Sequence, residues 1–261
     1  RSHRKVMVVD GRIGFTGGMN ISADNCHHPP TKHPITDVHF QFEGPAVASL
    51  REVFADDWAF CTGETLEGER WFPELTACGQ VLARGVASGP DDNFENMRLI
   101  LLGAIGSAHQ RVQIVTPYFL PDASLIAALN TAALRGVQVD ICIPEHNNLR
   151  MVQWACGAQL PQVLEHGCRV WLTPPPFEHT KLFLIDGVWS FVGSANWDQR
   201  SLRLNFEFNV ECYDRDLAAT LESIVQEKRE RSKSITLNDL TNRRLLVRLR
   251  DGLARLMTPY L

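Results

Sequence analysis

Short apolar runs alternate with polar punctuation along this chain, and two of them share one signature. Residues 6–9 (VMVV) and 182–185 (LFLI) are apolar and partly β-branched. Each ends in Asp-Gly, at Asp10-Gly11 and Asp186-Gly187, and leads into a second apolar run, 13–15 and 188–192. Asp-Gly between two such runs predicts a tight β-hairpin at both places. Between them, 37–42 alternates like a strand, and Pro45 opens an amphipathic helix over 46–60. Residues 62–92 are broken by Gly63, Gly68, Pro73, Gly79, Gly85, Gly89 and Pro90, which predicts a connection with one strand near 80–86. From residue 93 the pattern alternates. Helices are expected over 97–108, 123–135 (stopped by Gly136) and 149–166 (interrupted near Pro161), and strands over 111–116, 137–143 and 169–173. A further strand is expected over 205–211. Strand–helix alternation of this kind implies an α/β fold with mixed, largely parallel sheets flanked by helices. Its site is expected at strand ends and loops.

Both hairpins carry the same polar residues. The first gives His3, Lys5, Asp10, Gly17, Gly18 and Asn20; the second gives His179, Lys181, Asp186, Gly193, Ser194 and Asn196, at identical spacings. At roughly 5% per position from average usage, one chance match over six positions is improbable and two are more so. The chain therefore contains an internal repeat. His and Lys stand two apart on a strand, so they project from one face. The small residues that follow let backbone approach a ligand, and their N–H groups are candidates to meet an anion.

These residue types suit phosphoryl transfer through histidine. An imidazole can attack phosphorus. Two lysines can neutralise the non-bridging oxygens as charge builds. A second histidine can protonate the leaving alcohol and deprotonate the incoming one. One motif supplies one His, so the two copies must converge. Glu207, on the strand after Asn196, and Asp37, at the matching point of the first copy, are candidates to accept the second ring N–H of the histidine of their own copy. Gly18 stands where the second copy has Ser194, so a hydroxyl contact is one-sided. Tyr118 and Phe119 are candidates either for a substrate pocket or for the core, and Arg200 and Ser201 either for phosphate contact or for capping the next turn.

The duplicated H-x-K-x4-D pattern resembles the phospholipase D superfamily. TPYFLPD at 116–122, ALRGVQVDICIP at 133–144, RSLRLNFEFNVECYD at 200–214 and FEGPAVASLREVFADDW at 42–58 are similar to its cardiolipin synthase branch. The resemblance implies a two-lobed phospholipase D-like fold whose first lobe is incomplete here. The implied division is 1–62 for the end of the first lobe, 63–92 for the inter-lobe connection, 93–240 for the second lobe and 241–261 for a basic amphipathic tail. It implies a phosphatidyltransferase making cardiolipin from phosphatidylglycerol through a phosphatidyl-histidine intermediate, with His3 as nucleophile and His179 as acid/base. His3, Lys5, Asp10, His179, Lys181 and Asp186 are the catalytic candidates. Gly18, Asn20, Ser194 and Asn196 are the substrate-binding candidates, and Asp37 and Glu207 support the histidines. The alternatives are a phospholipase D that hydrolyses head groups and a phosphodiesterase nuclease. No cofactor and no metal are expected, because the superfamily chemistry needs none.

Composition narrows this further. The 261 residues are 44% hydrophobic and 21% charged, with net charge −4, which argues against a dedicated nucleic-acid binder. The expected partners are anionic phospholipid and the membrane surface, and the expected place is the cell membrane, peripherally on the cytoplasmic side. Seven scattered cysteines without Cys-x-x-Cys suggest reduced, mostly buried thiols. No apolar run reaches membrane-spanning length. His27, His28 and His33 lie in a Pro-rich loop without metal-ligand spacing and are expected at the surface. With the first motif starting at residue 3, the piece is expected to lack most of lobe one and to be poorly active and poorly soluble alone. The tail places Leu245, Leu246, Leu249, Leu253, Leu256 and Met257 on one helical stripe flanked by arginines. Such a stripe either lies in the membrane interface or packs on the core.

Overall fold

The computed structural model describes residues 1–26 and 31–260. Strands β1 (Val6–Val9) and β2 (Ile13–Gly17) form the first hairpin. Asp10 and Gly11 sit at its tip with φ of +51° and +63°, and Asp186 and Gly187 repeat this at +53° and +64°. Two consecutive left-handed residues make the tight turn whose twist matches that of the strands, which is why Asp-Gly is found there. Then come β3 (Ile35–Thr36) and β4 (His39–Glu43). The first sheet has the order β1-β2-β4. Helix α1 (Val47–Thr62) follows and stops at Gly63, whose φ of +74° is the usual left-handed helix end.

The rest of the chain builds the larger sheet. Its elements are β5 (Leu82–Ser88), α2 (Asn96–Ser107), β6 (Arg111–Val115), α3 (Ala123–Leu134), β7 (Gln138–Pro144), α4 (Arg150–Gln159), α5 (Pro161–Leu164) and β8 (Arg169–Thr173). The short β9 (Phe177–Glu178) leads into the second hairpin, β10 (Leu182–Ile185) and β11 (Trp189–Gly193). Then follow α6 (Gln199–Arg203), β12 (Glu207–Tyr213), α7 (Arg215–Glu230), β13 (Lys233–Ile235), α8 (Leu237–Thr241) and α9 (Leu245–Leu256). Pro161 starts α5 rather than kinking one long helix, since it has no N–H to give the preceding turn.

The strand order is β13-β8-β7-β6-β10-β11-β12-β5. The sheet is mixed, as the alternation implies, but its parallel part is smaller than expected: only β6–β7 and β7–β8 are parallel. The hairpin is the reason. It lays β10 antiparallel on β6, and β11, β12 and β5 continue as antiparallel neighbours. The segment 63–92 thus contributes β5 as the edge strand of this sheet.

Every residue of β10 and β11 is buried. Leu182 and Leu184 point into one core, Phe183 and Ile185 into the other, as strand alternation requires. One face is covered by α2 to α5. The other face packs on the first motif's own elements: Leu50 and Val53 of α1, with Val6, Val8, Phe40 and Phe42, join Val192, Val210, Leu221 and Val225. Leu50 is fully buried, and its truncation to alanine would cost about 2–5 kcal/mol. The two copies of the motif are therefore held face to face by one shared core. Four cysteines (142, 156, 168 and 212) are buried and three (26, 61 and 78) are exposed, all as free thiols.

Candidate active site

Two backbone exchanges bring the copies together. The strand before His179 runs parallel to the strand before Asp37, pairing Phe177 with Ile35 and Glu178 with Thr36. Ser2 bridges Phe206 in the same sense. The N–H of His179 donates to the Thr36 carbonyl at 2.8 Å, and the N–H of His3 to the Phe206 carbonyl at 2.9 Å. In each exchange the histidine lands beside the residue that immediately precedes a carboxylate. His179 Nδ1 lies 2.7 Å from Asp37 Oδ2. His3 Nδ1 lies 2.9 Å from both oxygens of Glu207.

Both carboxylates bond a histidine, but the pairing is crossed. Each serves the histidine of the other copy, not its own as expected from sequence, because the parallel exchange carries the backbone of one copy past the other. Glu207 is fully buried and also accepts the Ser194 hydroxyl at 2.5 Å and Asn205 Nδ2 at 3.2 Å. Asp37 Oδ1 accepts the N–H of Val38 at 2.8 Å. A carboxylate on Nδ1 places the ring proton there and leaves Nε2 free for chemistry.

The lysines close the cluster. Lys5 Nζ donates to the His3 carbonyl at 2.9 Å. Lys181 donates to the His179 carbonyl and its Nζ lies 3.0 Å from His179 Nδ1. Burial is the main reason both ammonium groups are held below the usual lysine range, Lys181 at about 8, with Asp37 and Glu207 opposing the shift. Lys5 and Lys181 stand within each other's field. His179 is held below the ordinary imidazole value, first by burial and then by Lys181, against the pull of Asp37. The residues flanking His179 are locked as well. Glu178 accepts Lys228 of α7 at 2.6 Å and the Thr180 N–H at 3.1 Å, all inside the protein.

Several candidates take other places. Asp186 accepts the N–H groups of His109, Gln110 and Arg111 at 2.8, 2.8 and 2.7 Å, at the start of β6. It is five residues beyond Lys181 on a strand, roughly 16 Å away at the usual rise. Asp10 occupies the same hairpin tip in the first copy. Neither is in the reacting cluster, since the extended strand between them and the histidines separates the two ends. The N–H groups of Gly18 and Ser194 are not free for an anion: they donate to the Val38 and Phe208 carbonyls at 3.1 and 3.0 Å. A Cβ at Gly18 would collide with the Asp37 carboxylate, so glycine leaves that carboxylate its room. The one-sided hydroxyl contact is Ser194 on Glu207. Asn20 is exposed, whereas Asn196 is buried with its Oδ1 unpartnered among the described residues. Phe119 belongs to the core and stacks on Trp197, and the Tyr118 hydroxyl donates to Asn148 at 2.9 Å. Ser201 braces the loop, accepting the Asn196 N–H at 3.1 Å, and Arg200 is exposed. His27 and His28 lie outside the described residues.

Sequence reasoning missed Asp198. It caps α6 through the Ser201 N–H at 2.7 Å and is buried close enough to His3, Lys181 and Glu207 to share their field. Burial pushes its carboxyl up to about 6, and Glu207 adds to the shift. The available signal was Asp followed three residues later by Ser at the start of a helical stretch, a capping pattern.

The family model described as "Cardiolipin synthase, PLD-like domain" matches residues 101–229. Cardiolipin synthase A of Pseudomonas putida strain KT2440 is 40% identical over 261 residues, covering 100% of this chain and 54% of that protein. The chain belongs to the phospholipase D superfamily. Cardiolipin synthase A of Pseudomonas aeruginosa strain LESB58 is likewise 40% identical, with 53% of its length covered. The chain thus spans about half the length of the curated relatives it matches. Among solved structures, phosphatidylserine synthase of Haemophilus influenzae Rd KW20 superposes with a TM-score of 0.74 at 15% identity, over 100% of this chain and 71% of that one. Nuc of Salmonella typhimurium, a phospholipase D family member, superposes with a TM-score of 0.52 at 22% identity, over 60% of this chain and 99% of that one. At these identities they bear on the superfamily fold alone, which is the mixed α/β fold described above.

Proposed function

We propose that the protein is a phosphatidyltransferase that makes cardiolipin from phosphatidylglycerol, at the cytoplasmic face of the membrane. One observation carries this reading. Two imidazoles from distant parts of the chain are each fixed at Nδ1 by a buried carboxylate, beside two lysines.

His3 Nε2 attacks the phosphorus of one phosphatidylglycerol. The bond from phosphorus to glycerol breaks, and the departing oxygen takes the proton from His179 Nε2. The phosphatidyl group is then covalently on His3. The head-group hydroxyl of a second phosphatidylglycerol gives its proton back to His179 and its oxygen attacks phosphorus. The bond to His3 breaks, so two phosphatidylglycerol molecules become cardiolipin and glycerol. Lys5 and Lys181 hold the non-bridging oxygens as charge grows on them. A His179 pKa below the ordinary value makes it a ready proton donor to an alkoxide. Assigning attack to His3 follows the superfamily order. Asn196 Oδ1, buried and unpartnered, is suited to accept a head-group hydroxyl. The 40% identity to cardiolipin synthase A proteins supports the substrate class.

The test is to incubate protein carrying this chain with phosphatidylglycerol and weigh the lipids. Cardiolipin with free glycerol is the expected product. Phosphatidic acid alone would mean that water is the acceptor, and cleaved DNA without lipid turnover would mean a nuclease.

A further inference from the structure

Helix α9 is built with its one acidic side chain inside and its leucines outside. Asp251 is 1% exposed and Ala254 5%, and that face lies on α4. Asp251 Oδ2 accepts Arg243 Nη1 at 2.9 Å, and its Oδ1 accepts Arg250 at 2.7 and 2.9 Å. Arg243 also donates to the Gly157 carbonyl of α4 at 2.8 Å, and the Arg250 guanidinium lies 4.5 Å over the Trp154 ring. These bonds fix the rotation of the helix. They turn Leu245, Leu246, Leu249, Leu253 and Leu256 outward, each between 54% and 80% exposed. Of the two ways to use this stripe, packing on the core is not the one adopted.

Apolar side chains are also exposed on the elements that α9 and the turn after it contact. Leu149 and Met151 are exposed where α4 begins, and Leu204 is exposed at the end of α6. The turn Thr258–Tyr260 that follows α9 packs on α6, the helix that Asp198 caps just after Asn196. The leucine face is therefore tied to the element that leaves the active site. Arg248 and Arg255 are exposed on the same helix and Arg244 just before it, and the segment from 243 carries five arginines against one aspartate in a chain of net charge −4.

We propose that α9 is the membrane-docking surface of the protein, its leucines entering an anionic phospholipid bilayer between arginines that meet the head groups. Charge complementarity selects this occupant. A second copy docking through the same face would set arginines against arginines. An anionic bilayer accepts both the leucines and the positive rim. The inference rests on the lipid-substrate reading for why a membrane should be there, and it adds which face approaches it.

Two variants test it. Leu246, Leu249 and Leu253 are replaced together by Glu, and separately Leu253→Cys, in protein whose exposed Cys26, Cys61 and Cys78 are changed to Ser, carries an environment-sensitive dye. Binding is measured by co-sedimentation with vesicles of phosphatidylglycerol and phosphatidylcholine, and with phosphatidylcholine alone. The expected result is at least tenfold tighter binding of the parent to the anionic vesicles, lost at least tenfold in the triple variant. Turnover of monomeric dihexanoyl phosphatidylglycerol should stay at the parent's rate, and the dye should shift to the blue only with anionic vesicles. If the triple variant does not fold, the dye shift decides. Unchanged binding by the triple variant, or no dye shift on vesicles, overturns the surface while cardiolipin synthesis still stands. A dye already buried without vesicles also overturns it, pointing to a second copy if the burial depends on concentration and to another segment of the protein if it does not. Vesicle binding through α9 without any lipid turnover leaves the surface and removes the transferase reading.

Discussion

His179 Nδ1 lies 2.7 Å from Asp37 Oδ2, across 142 residues of chain. Its counterpart, His3 with Glu207, spans 204 residues. Each half of the repeat therefore orients the reacting group of the other. Asp37→Asn and Glu207→Gln keep the shape but offer an amide that can present a donor to Nδ1, so the ring proton moves to Nε2. The kcat should fall by roughly 10²- to 10⁴-fold with little change in KM, as when the carboxylate behind another catalytic histidine is lost. Nitrogen NMR of the imidazoles checks the crossing: Asp37→Asn should move the His179 Nδ1 signal and leave that of His3 in place. A shift of His3 instead would show that the carboxylates serve their own copies.

Lys181 is more useful than it is comfortable. Its pKa falls from 10.5 to about 8, chiefly through burial. With the folded value below the unfolded one, the unfolded chain binds more protons between the two, so stability rises with pH across that window and the cost is complete below it. At pH 7 the cost is on the order of 3 kcal/mol. Lys181→Met should melt higher than the parent at pH 7, with the gap closing towards pH 10. Its kcat should drop by about 10²- to 10³-fold, since the charge meets the transition state. Melting curves at both pH values together with kinetics at pH 7 check it.

Asp186 should behave as a structural residue. Asp186→Ala leaves three backbone N–H groups at the start of β6 without their acceptor. The expected loss is about 3 kcal/mol of stability, with kcat per folded molecule within a few-fold of the parent. Denaturant titration and active-site-normalised kinetics check both parts. A collapse of kcat in a variant that stays folded would return Asp186 to the chemistry.

How much of this was legible in the sequence follows from what each feature depends on. The histidines and lysines stand in a fixed spacing just before β1 and β10, so they were readable as candidates from local pattern, as were the Asp-Gly turns and the helix ended by Gly136. Which carboxylate meets which histidine was not, because Asp37 and Glu207 reach their partners through long-range parallel exchanges that no local pattern encodes. The repeat suggested that Asn20 and Asn196 are equivalent. One is exposed and one buried, since only the second copy is followed by the α6 capping loop. The strand near 80–86 was legible inside the Gly- and Pro-punctuated segment 63–92, but its place as β5 beside β12 at the edge of the large sheet was not, because that pairing is long-range. The tail's leucine stripe was visible, but which side faced the protein was decided by Asp251 and its two arginines.

Asp198 gives a test in the opposite pH direction. Its folded pKa, about 6, lies above its ordinary 3.8. Here the folded chain binds more protons between the two values, so stability is gained as pH falls through 6 and the cost of the buried charge is complete above it. Asp198→Asn keeps a capping side chain and removes that cost. It should be more stable than the parent at pH 7.5, by about 3 kcal/mol, and the advantage should shrink steadily towards pH 4. Unfolding free energies at a series of pH values check this; a gap that does not change with pH would show that the carboxyl titrates alike in the folded and the unfolded chain.

The central claim is covalent transfer through His3, with His179 moving the protons. A phosphatidyl ester of p-nitrophenol tests it most directly, because that leaving group departs without a proton. His179→Ala should release one p-nitrophenol per protein molecule in a burst and then stall, with mass spectrometry finding the phosphatidyl group on His3. His3→Ala should give no burst. A burst from His3→Ala, or none from a folded His179→Ala, would contradict the account.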